Sequence, residues 1–510
     1  MNLFDTLAAR VTDPAATAIE TLAGERIAYG DLIGRTGRMA NALVALGVAP
    51  GDRVAVQVEK SVEAIILYLA TLRAGAVFLP LNTGYTPAEM GYFLTDAAPA
   101  VFVCDPEREP ALRPVAEGAG AAVVTLDAAG RGSLTDAAAL AGEDFATRPR
   151  ADDDLAALLY TSGTTGRSKG AMLSHGNLVS NTLALIDAWR FTARDVLIHA
   201  LPIFHTHGLF VATNVTLFSG ASMIFLPKFD PDRILALMPR ASVLMGVPTF
   251  YTRLLQDDRL TAETTGAMRL FVSGSAPLLA ETHRDWRART GHAILERYGM
   301  TETNMNTSNP YEGDRVAGTV GQPLPGVEVI VTDPETGAAL AQGEIGMIEV
   351  RGPNVFQGYW RMPEKTAAEL RENGFFITGD LGLIDARGYV QIVGRGKDLI
   401  ITGGYNVYPK EVETEIDALP GVTESAVIGL PHRDFGEGVT AVVVPAPGAA
   451  LTEAGVLAPL EERLARFKLP KRVLFVDELP RNTMGKVQKN LLRQEFAGLY
   501  GREEAAPGGR

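Results

Sequence analysis

The chemically richest stretch of the chain is the glycine- and hydroxyl-rich loop YTSGTTGRSKG at residues 160–170. It follows an apolar run and carries Arg167 and Lys169 near its end. Small residues let a backbone wrap closely around an anion, while hydroxyl and main-chain N–H groups donate to its oxygens. The spacing does not fit the GxxxxGK[ST] phosphate loop, because Gly163 is followed by TTGRSKG. The loop therefore predicts a phosphate site of another kind, with a plain surface turn as the alternative.

Four further segments combine glycine with hydroxyl, acidic or basic residues. They are YGMTET (298–303), TGDLG (378–382), GRGKDLIITGGYNVYP (394–409) and PRNTMGKVQK (480–489). Together with the first loop, and in this order, they resemble the motifs of the acyl-adenylate-forming superfamily. That superfamily includes acyl-CoA synthetases, peptide-synthetase adenylation domains and luciferases. The resemblance covers most of the chain.

The resemblance implies a reaction in two steps. A carboxylate attacks the α-phosphate of ATP to give an acyl-adenylate and pyrophosphate, and a thiol then displaces AMP. Negative charge that develops on the α-phosphate must be stabilised by cations and fixed donors in a dry site. Lys486 resembles the lysine that bridges the carboxylate and the α-phosphate, and its long stem lets a moving domain withdraw it. Without the motif, Lys486 would be interpreted as an ordinary solvated lysine.

The resemblance also predicts the ATP site and its Mg²⁺. Tyr298 matches the ring that stacks on adenine, Asp380 the acceptor for the ribose hydroxyls, and Arg395 a second ribose or phosphate contact. Glu302 is predicted to hold Mg²⁺, because a carboxylate is a hard ligand for a hard cation, with Thr165 completing the metal shell. The full predicted ATP site is Thr161, Ser162, Gly163, Thr164, Thr165, Gly166, Lys169, Tyr298, Gly299, Thr301, Asp380, Arg395 and Lys486.

The second half-reaction is predicted to involve a domain rotation. Lys397 matches the family's hinge residue, and rotation there would bring the GGYN loop beside a tunnel for the thiol of CoA. The predicted CoA-binding residues are Gly403, Gly404, Tyr405 and Asn406. Acylation of Lys486 would remove its charge and stop the first half-reaction. A lysine acetyltransferase and a deacetylase are therefore candidate protein partners.

The acyl pocket is predicted from the segments FHTHGLF (204–210) and FVSGSAPL (271–278) and from the residue before YGMTE, which is Arg297. A buried guanidinium is costly unless the substrate neutralises it, which a second carboxylate would do. His207 is predicted to donate to that carboxylate. The remaining predicted residues are His205 at the pocket mouth, with a catalytic role, and the hydroxyl donors Ser273 and Ser275. Malonate or methylmalonate best explains such a pocket, with the choice between them open.

Three other functions remain in competition at this point. The first is a synthetase for short- or medium-chain fatty acids, which would require a structural ion pair for Arg297. The second is an adenylation protein that loads a carrier-protein thiol, although the chain has no appended carrier motif. The third is a nucleotide-binding protein without activity, which would be expected to lack Lys486 or Glu302.

The elements that must position these residues follow an α/β pattern. RVAVQV (53–58), AVFLPL (76–81), AVFVCD (100–105) and AAVVTLD (121–127) are predicted strands. They alternate with helical stretches such as 61–75, as parallel strands with crossover helices do. After residue 315 the chain alternates strands with Gly, Pro and Asp turns, which predicts antiparallel hairpins or a small barrel. From about Lys397 an α+β pattern follows, with one helix across KEVETEIDAL and another near LEERLARF.

Two domains and a tail follow from these patterns. Residues 1–394 are predicted to form a large α/β domain, with covered parallel sheets and a small barrel, that holds the ATP and acyl sites. Residues 395–500 are predicted to form a smaller mobile α+β domain carrying Lys486. Residues 501–510 are predicted to be a disordered tail. We place the boundary within GRGKD (394–398), where glycines flank two basic residues.

The composition of the chain limits which partners and which cellular compartment fit the sequence. With 47 Lys and Arg against 60 Asp and Glu, the net charge of −13 argues against a nucleic-acid-binding surface. One cysteine, Cys104, permits neither an intramolecular disulfide nor a cysteine-based zinc site and fits a reducing cytoplasm. No basic apolar leader is visible, and the longest apolar stretch (64–81) is interrupted by Arg73 and Pro80. The sequence therefore predicts a cytoplasmic enzyme without a membrane partner.

Overall fold

The computed structural model of the protein describes residues 1–161, 168–402, 405–432, 434–482 and 485–500. It contains two compact units. One comprises Met1–Val329 with Val350–Phe376, and the other Ile330–Glu349 with Ile377–Arg510. The predicted tail (501–510) lies outside the described residues, and the predicted boundary at 394–398 stays a prediction.

The first unit contains a six-stranded sheet that confirms the predicted parallel strands. In sheet order its strands are Ala122–Thr125, Val101–Cys104, Arg53–Gln57, Val77–Pro80, Leu155–Thr161 and Lys169–Ser174. The first five run parallel, and only Lys169–Ser174 is antiparallel to its neighbour. Strand Val101–Cys104 is buried along its whole length, as expected for a parallel strand covered on both faces.

A nine-stranded sheet completes the first unit. In order its strands are Gln322–Pro323, Asn304–Ser308, Leu295–Met300, Leu270–Ser273, Val243–Gly246, Val196–His199, Ser222–Phe225, Thr17–Thr21 and Arg26–Ala28. Its centre is parallel, so the carboxyl ends of those strands meet at one edge. Ligands of open α/β sheets bind outside such carboxyl ends. His199 and Ser273 are the last residues of two of these strands, and Arg297 lies on a third.

Helices connect the strands of the first unit. Their bounds are Leu3–Ala8, Tyr29–Ala45, Val62–Arg73, Pro87–Ala97, Glu109–Gly118, Ser133–Ala139, His175–Ala188, Asn214–Phe218, Pro231–Leu237, Pro248–Leu255, Ala280–Thr290 and Pro363–Glu369, with a π-helix at His207–Thr213 and a 3₁₀ turn at Met238–Arg240. The helix predicted at 61–75 begins after Ser61, whose side chain accepts from the N–H of Ala64. It ends at Arg73, two residues before Gly75, whose φ of 73° favours glycine. No described helix is long and apolar enough to cross a membrane.

The second unit holds most of a four-stranded sheet and all of a five-stranded one. The first has the order Glu328–Thr332, Gly346–Arg351, Phe376–Ile384 and Val390–Arg395, and corresponds to the predicted hairpins. The second has the order Tyr405–Val407, Ile400–Thr402, Gly436–Pro445 and Val422–His432, with Arg472–Phe475 paired to Gly436–Pro445. The α-helices are Pro409–Asp417, Glu453–Glu461 and Lys489–Glu495, and the 3₁₀ turns are Gly396–Asp398 and Arg466–Lys468.

One predicted helix of this unit lies earlier in the chain than expected. The helix near LEERLARF occupies Glu453–Glu461, and most of that motif follows its end. Thr452 fixes the start, because its side chain accepts from the N–H of Gly455. The fold class is otherwise confirmed, with a large unit of covered parallel sheets and a smaller α+β unit.

Candidate active site

Arg297 is a buried cation with few nearby groups that would hydrogen-bond or neutralise it. It lies on strand Leu295–Met300 and is 3% exposed. Its Nε and Nη2 have no hydrogen-bond partner in the part of the chain that the structure describes. Burial lowers the pKa of Arg297 to about 9, opposed only by the nearby Tyr251. The guanidinium therefore remains charged at neutral pH and meets no described acid that would neutralise it.

Gly274 provides the space that this guanidinium occupies. A Cβ atom built on Gly274 would lie 2.4 Å from the Arg297 Cζ and 2.5 Å from its Nε. Real Cβ contacts are not that short, so a side chain here would displace the guanidinium. Sequence reasoning missed this role, because a glycine between two serines is usually only a turn former.

His207 lies close to the same cation. It opens the π-helix His207–Thr213 and is buried, with its Nδ1 3.2 Å from the Ser275 Oγ. No described residue bonds its Nε2. Burial, followed by the charge of Arg297, holds the pKa of His207 well below its usual value, so the ring is neutral. Single π-turns of this kind occur frequently at functional sites.

The other predicted acyl-pocket residues flank this pair. Ser273, the residue before Gly274, is fully buried, and its Oγ has no hydrogen-bond partner among the described residues. Ser275 adopts a left-handed conformation with φ 73°. His205 is half-buried, and its Nδ1 accepts from the His207 N–H at 3.3 Å. The structure thus brings the predicted imidazole, hydroxyl and guanidinium groups into one region.

A lysine that sequence reasoning missed adds to this basic region. The Nζ of Lys60 lies 2.8 Å from the His199 Nδ1, donates to the His199 carbonyl at 2.8 Å, and lies 4.4 Å from the centre of the Phe225 ring. The His199 Nε2 lies 3.0 Å from the carbonyl of Gly208 in the π-helix. Burial lowers the pKa of Lys60. Lys60 belongs to no motif, so no sequence signal marked it.

Glu302 belongs to a separate buried network. Its Oε1 lies 3.1 Å from the hydroxyl of Tyr359, which donates to Glu369 at the shorter distance of 2.6 Å. The Nζ of Lys169 lies 3.4 Å from Glu369 and 4.1 Å from the centre of the Tyr359 ring. The structure therefore links the predicted metal ligand to the predicted phosphate-loop lysine. Tyr359 and Glu369 lie outside the recognised motifs, which is why they were missed.

The segment around Tyr298 is held by close backbone packing. Tyr298 is buried, and its strand pairs antiparallel with Asn304–Ser308. A Cβ on Gly299 would lie 1.8 Å from the carbonyl oxygen of Asn304, so only glycine fits there. Thr301 and Thr161 are half-buried. The predicted residues Ser162, Gly163, Thr164, Thr165 and Gly166 lie outside the described residues.

Asp380 and Arg395 form a pair within the second unit. They are register partners on the antiparallel strands Phe376–Ile384 and Val390–Arg395. The Nε of Arg395 lies 2.7 Å from the Oδ1 of Asp380, and the aspartate is buried. The structure thus brings together the two residues predicted to contact the ribose.

The predicted lysine, hinge and CoA residues also lie in this unit. Lys486 is exposed on a short hairpin, and Lys397 is exposed in the turn Gly396–Asp398. The exposed ring of Tyr405 stacks on Phe467 with centroids 4.8 Å apart. Asn406 lies on strand Tyr405–Val407, whereas Gly403 and Gly404 fall outside the described residues.

The fold and these sites define an enzyme that handles a nucleotide and an acid. The chain belongs to the AMP-binding enzyme family, whose profile matches residues 7–360, and residues 411–486 match the AMP-binding enzyme C-terminal domain. The family predicted from the motifs is thereby confirmed.

Individual relatives cover nearly the whole chain. A crystal structure of ATP-bound MatB from Rhodopseudomonas palustris is 70% identical and has a TM-score of 0.97, covering 98% of this chain and 99% of that one. A malonate–CoA ligase of Arabidopsis thaliana is 35% identical, covering 88% of this chain and 79% of its own. A feruloyl-CoA synthase of an Amycolatopsis species is 37% identical, covering 95% and 96%.

Proposed function

We propose that this enzyme is an AMP-forming acid–thiol ligase that converts malonate or methylmalonate and CoA into the corresponding acyl-CoA, with ATP consumed and AMP and pyrophosphate released. The observation that carries the proposal is the buried guanidinium of Arg297, which the described residues leave without an acid. A buried charge is costly unless it is paired and hydrogen-bonded. A dicarboxylate supplies that pair with one end and presents the other end for reaction.

The neutral donors around Arg297 fit the same ligand. The Ser275 hydroxyl can donate to the His207 Nδ1, which leaves the proton of the ring on Nε2 and able to donate to a carboxylate. Ser273 offers a buried hydroxyl with no described partner. His205 is assigned to the pocket mouth. The relatives named as malonate–CoA ligases support this choice, whereas the similar identity of the feruloyl-CoA synthase shows that overall identity alone cannot select the acid.

The nucleotide roles carry over from the motifs. Tyr298 is assigned to adenine, Thr301 to the α-phosphate, and Asp380 with Arg395 to the ribose. The phosphate loop from Thr161 to Lys169 is assigned to the phosphates. Lys486 is assigned the bridge between the incoming carboxylate and the α-phosphate, where an ammonium stabilises developing negative charge.

Mg²⁺ fits the residues present. No group of three acidic, histidine or cysteine side chains in the described part of the chain could hold a metal by itself. Mg²⁺ in nucleotide enzymes is usually held by one or two carboxylates together with substrate phosphates, and Glu302 is a buried carboxylate of that kind. Thr165 is the second proposed ligand. The ion would neutralise phosphate charge, while the Tyr359 hydroxyl, which donates to Glu369, also lies 3.1 Å from the Glu302 Oε1.

The second half-reaction is assigned to the C-terminal domain (395–500). We assign Lys397 as the hinge and Gly403, Gly404, Tyr405 and Asn406 as the residues that approach CoA. Acetylation of Lys486 by a lysine acetyltransferase, reversed by a deacetylase, would regulate the first half-reaction, and the exposure of Lys486 fits such access. The cytoplasmic location stays a prediction of the sequence.

A substrate panel tests the acid. Acid-dependent AMP release in the presence of CoA should be strong with malonate or methylmalonate and weak with octanoate and ferulate. Strong turnover of octanoate or ferulate, with none on malonate, would refute the proposal and favour a monocarboxylate ligase.

A lysine substitution tests the first half-reaction. Lys486→Ala should lower adenylate formation by orders of magnitude, while thioester formation from supplied malonyl-adenylate should survive. Lys228→Ala, at another exposed lysine, is the control and should leave both half-reactions unchanged. Equal loss of both half-reactions in Lys486→Ala would contradict the assigned role.

A further inference from the structure

The lysine assigned to adenylation lies on one of two facing arms, 481–482 and 485–488, which are called the hairpin below. Arg481 and Val487 form an isolated antiparallel bridge across its base. The N–H of Asn482 donates to the Lys486 carbonyl at 3.0 Å, and the N–H of Lys486 donates to the Asn482 Oδ1 at 3.0 Å. The N–H of Gly485 donates to the Asn482 carbonyl at 2.9 Å. These hydrogen bonds therefore fix the Lys486 backbone relative to Asn482.

Two ion pairs attach this hairpin to the unit, one on each side. On the entering side, Arg481 pairs with Glu424 of strand Val422–His432 and also donates to the Gly485 carbonyl at 2.5 Å. On the leaving side, the Nζ of Lys489 lies 2.5 Å from the Oε1 of Glu413.

The Glu413 side chain is itself firmly held. It projects from helix Pro409–Asp417, is 6% exposed, and accepts from the N–H of Val427 at 2.9 Å. Burial alone would raise the pKa of Glu413, but the charges of Lys489 and Lys410 outweigh it, so the carboxylate stays ionised. A buried charge of this kind is costly without its partner. The pair with Lys489 therefore sets where the chain leaves the hairpin.

We propose that Glu413 and Lys489 are positioning residues for the adenylation half-reaction, acting through the hairpin that carries Lys486. The inference rests on the proposed role of Lys486. Loss of the pair leaves the leaving side held by the packing of Val487 against the core of the unit, without an ionic attachment, and lets the Lys486 ammonium move away from its working position. A displacement of about 1 Å can cost about a hundredfold in rate. The thiol-transfer step does not use Lys486 and is therefore spared.

The test separates the two half-reactions in the full-length enzyme. In Glu413→Gln and in Lys489→Met, malonate-dependent ATP–pyrophosphate exchange is expected to fall by about 10- to 100-fold. Thioester formation from supplied malonyl-adenylate and CoA is expected to stay within about twofold of the wild type. Glu411→Gln is the matched control, because Glu411 lies on the same helix but pairs with Lys468, which is not part of the hairpin. It should change neither rate.

Each possible outcome either supports or overturns the positioning role of Glu413 and Lys489. Equal loss of both half-reactions would mean that the pair only maintains the fold. Unchanged pyrophosphate exchange in both variants would mean that the hairpin needs no such attachment. Either result overturns the proposal. Lys486→Ala, measured alongside, keeps the two claims apart. If it abolishes exchange while Glu413→Gln does not, the positioning role alone fails. If it leaves exchange intact, both the role of Lys486 and the positioning role fail.

Discussion

Replacing Arg297 with methionine should make the ligand-free enzyme no less stable while it destroys the use of malonate. Burial lowers the pKa of Arg297 to about 9, a fall of between three and four powers of ten in proton affinity. At about 1.4 kcal/mol for each power of ten, the buried charge costs the folded protein about 4–5 kcal/mol. Apolar replacements of buried ionic groups are commonly neutral or stabilising by about 1–4 kcal/mol. We therefore expect an unchanged or raised free energy of unfolding for Arg297→Met.

The effect on turnover has the opposite sign. A carboxylate that enters the pocket would pair with the guanidinium, and loss of one partner of a buried ion pair costs about 3–5 kcal/mol. At about 1.4 kcal/mol for each factor of ten, kcat/KM for malonate should fall by between about a hundredfold and several thousandfold. The KM for ATP should change little, because the residues proposed to contact the nucleotide do not include Arg297.

Arg269→Met provides the matched control. Arg269 is half-buried, and its Nε lies 2.6 Å from the Oδ1 of the buried Asp195. Its removal leaves a buried carboxylate without that partner, so stability should fall while kcat/KM for malonate is retained in the folded protein. Thermal unfolding without ligands and steady-state AMP release measure the two quantities. The reasoning is refuted if Arg297→Met loses stability as Arg269→Met does, or if it keeps wild-type kcat/KM for malonate.

Three further predictions concern single groups. Gly274→Ala should raise the KM for malonate by about ten- to a hundredfold without changing the KM for ATP, since a Cβ would overlap the Arg297 guanidinium; an unchanged KM for malonate would contradict this. Tyr359→Phe should raise the Mg²⁺ concentration needed for half-maximal pyrophosphate exchange several-fold, since it removes the hydroxyl proton that lies between the Glu369 and Glu302 carboxylates and is worth about 0.5–1.5 kcal/mol; an unchanged Mg²⁺ titration would contradict this. Burial raises the pKa of Asp417 to about 6, so its favourable contribution to stability is present below about pH 4 and lost as the pH rises through 6. In calorimetric scans from pH 4 to 8, Asp417→Asn should remove a decline of about 3 kcal/mol, and an unaltered pH dependence would refute the assignment.

The alternation of short apolar runs with capped helices was sufficient to predict the parallel sheets. Strand Arg53–Gln57, helix Val62–Arg73 and strand Val77–Pro80 follow the expected order. These elements were predictable because fully buried strands leave continuous apolar runs, and because the cap at Ser61 and the glycine at 75 mark the helix ends. The helix predicted near LEERLARF was misplaced, since the cap at Thr452 was not recognised.

The candidate site was predictable only where a motif or an unusual residue type marked it. Arg297 was recognisable because a cation adjoins an expected acyl pocket. Lys60 comes from a distant strand end and meets His199 only in the folded chain. Tyr359 and Glu369 likewise reach Glu302 and Lys169 through contacts with large sequence separations. Such relations require a three-dimensional structure, since no local pattern records them.

The protonation states around Arg297 explain how one pocket can both accept a dicarboxylate and reject a fatty acid. The charge of Arg297 is one cause of the low pKa of His207, so the imidazole stays neutral and donates without adding a second charge. In the proposed complex one guanidinium would face one carboxylate, and the charges would match. An acid that carries a methyl group at this position would leave the guanidinium and the His207 Nε2 without partners in a dry pocket. Sites built around buried polar groups reject analogues that lack the matching group by about 10⁴- to 10⁵-fold. Selectivity for malonate over a monocarboxylate should therefore exceed what pocket size alone provides, and should collapse in Arg297→Met.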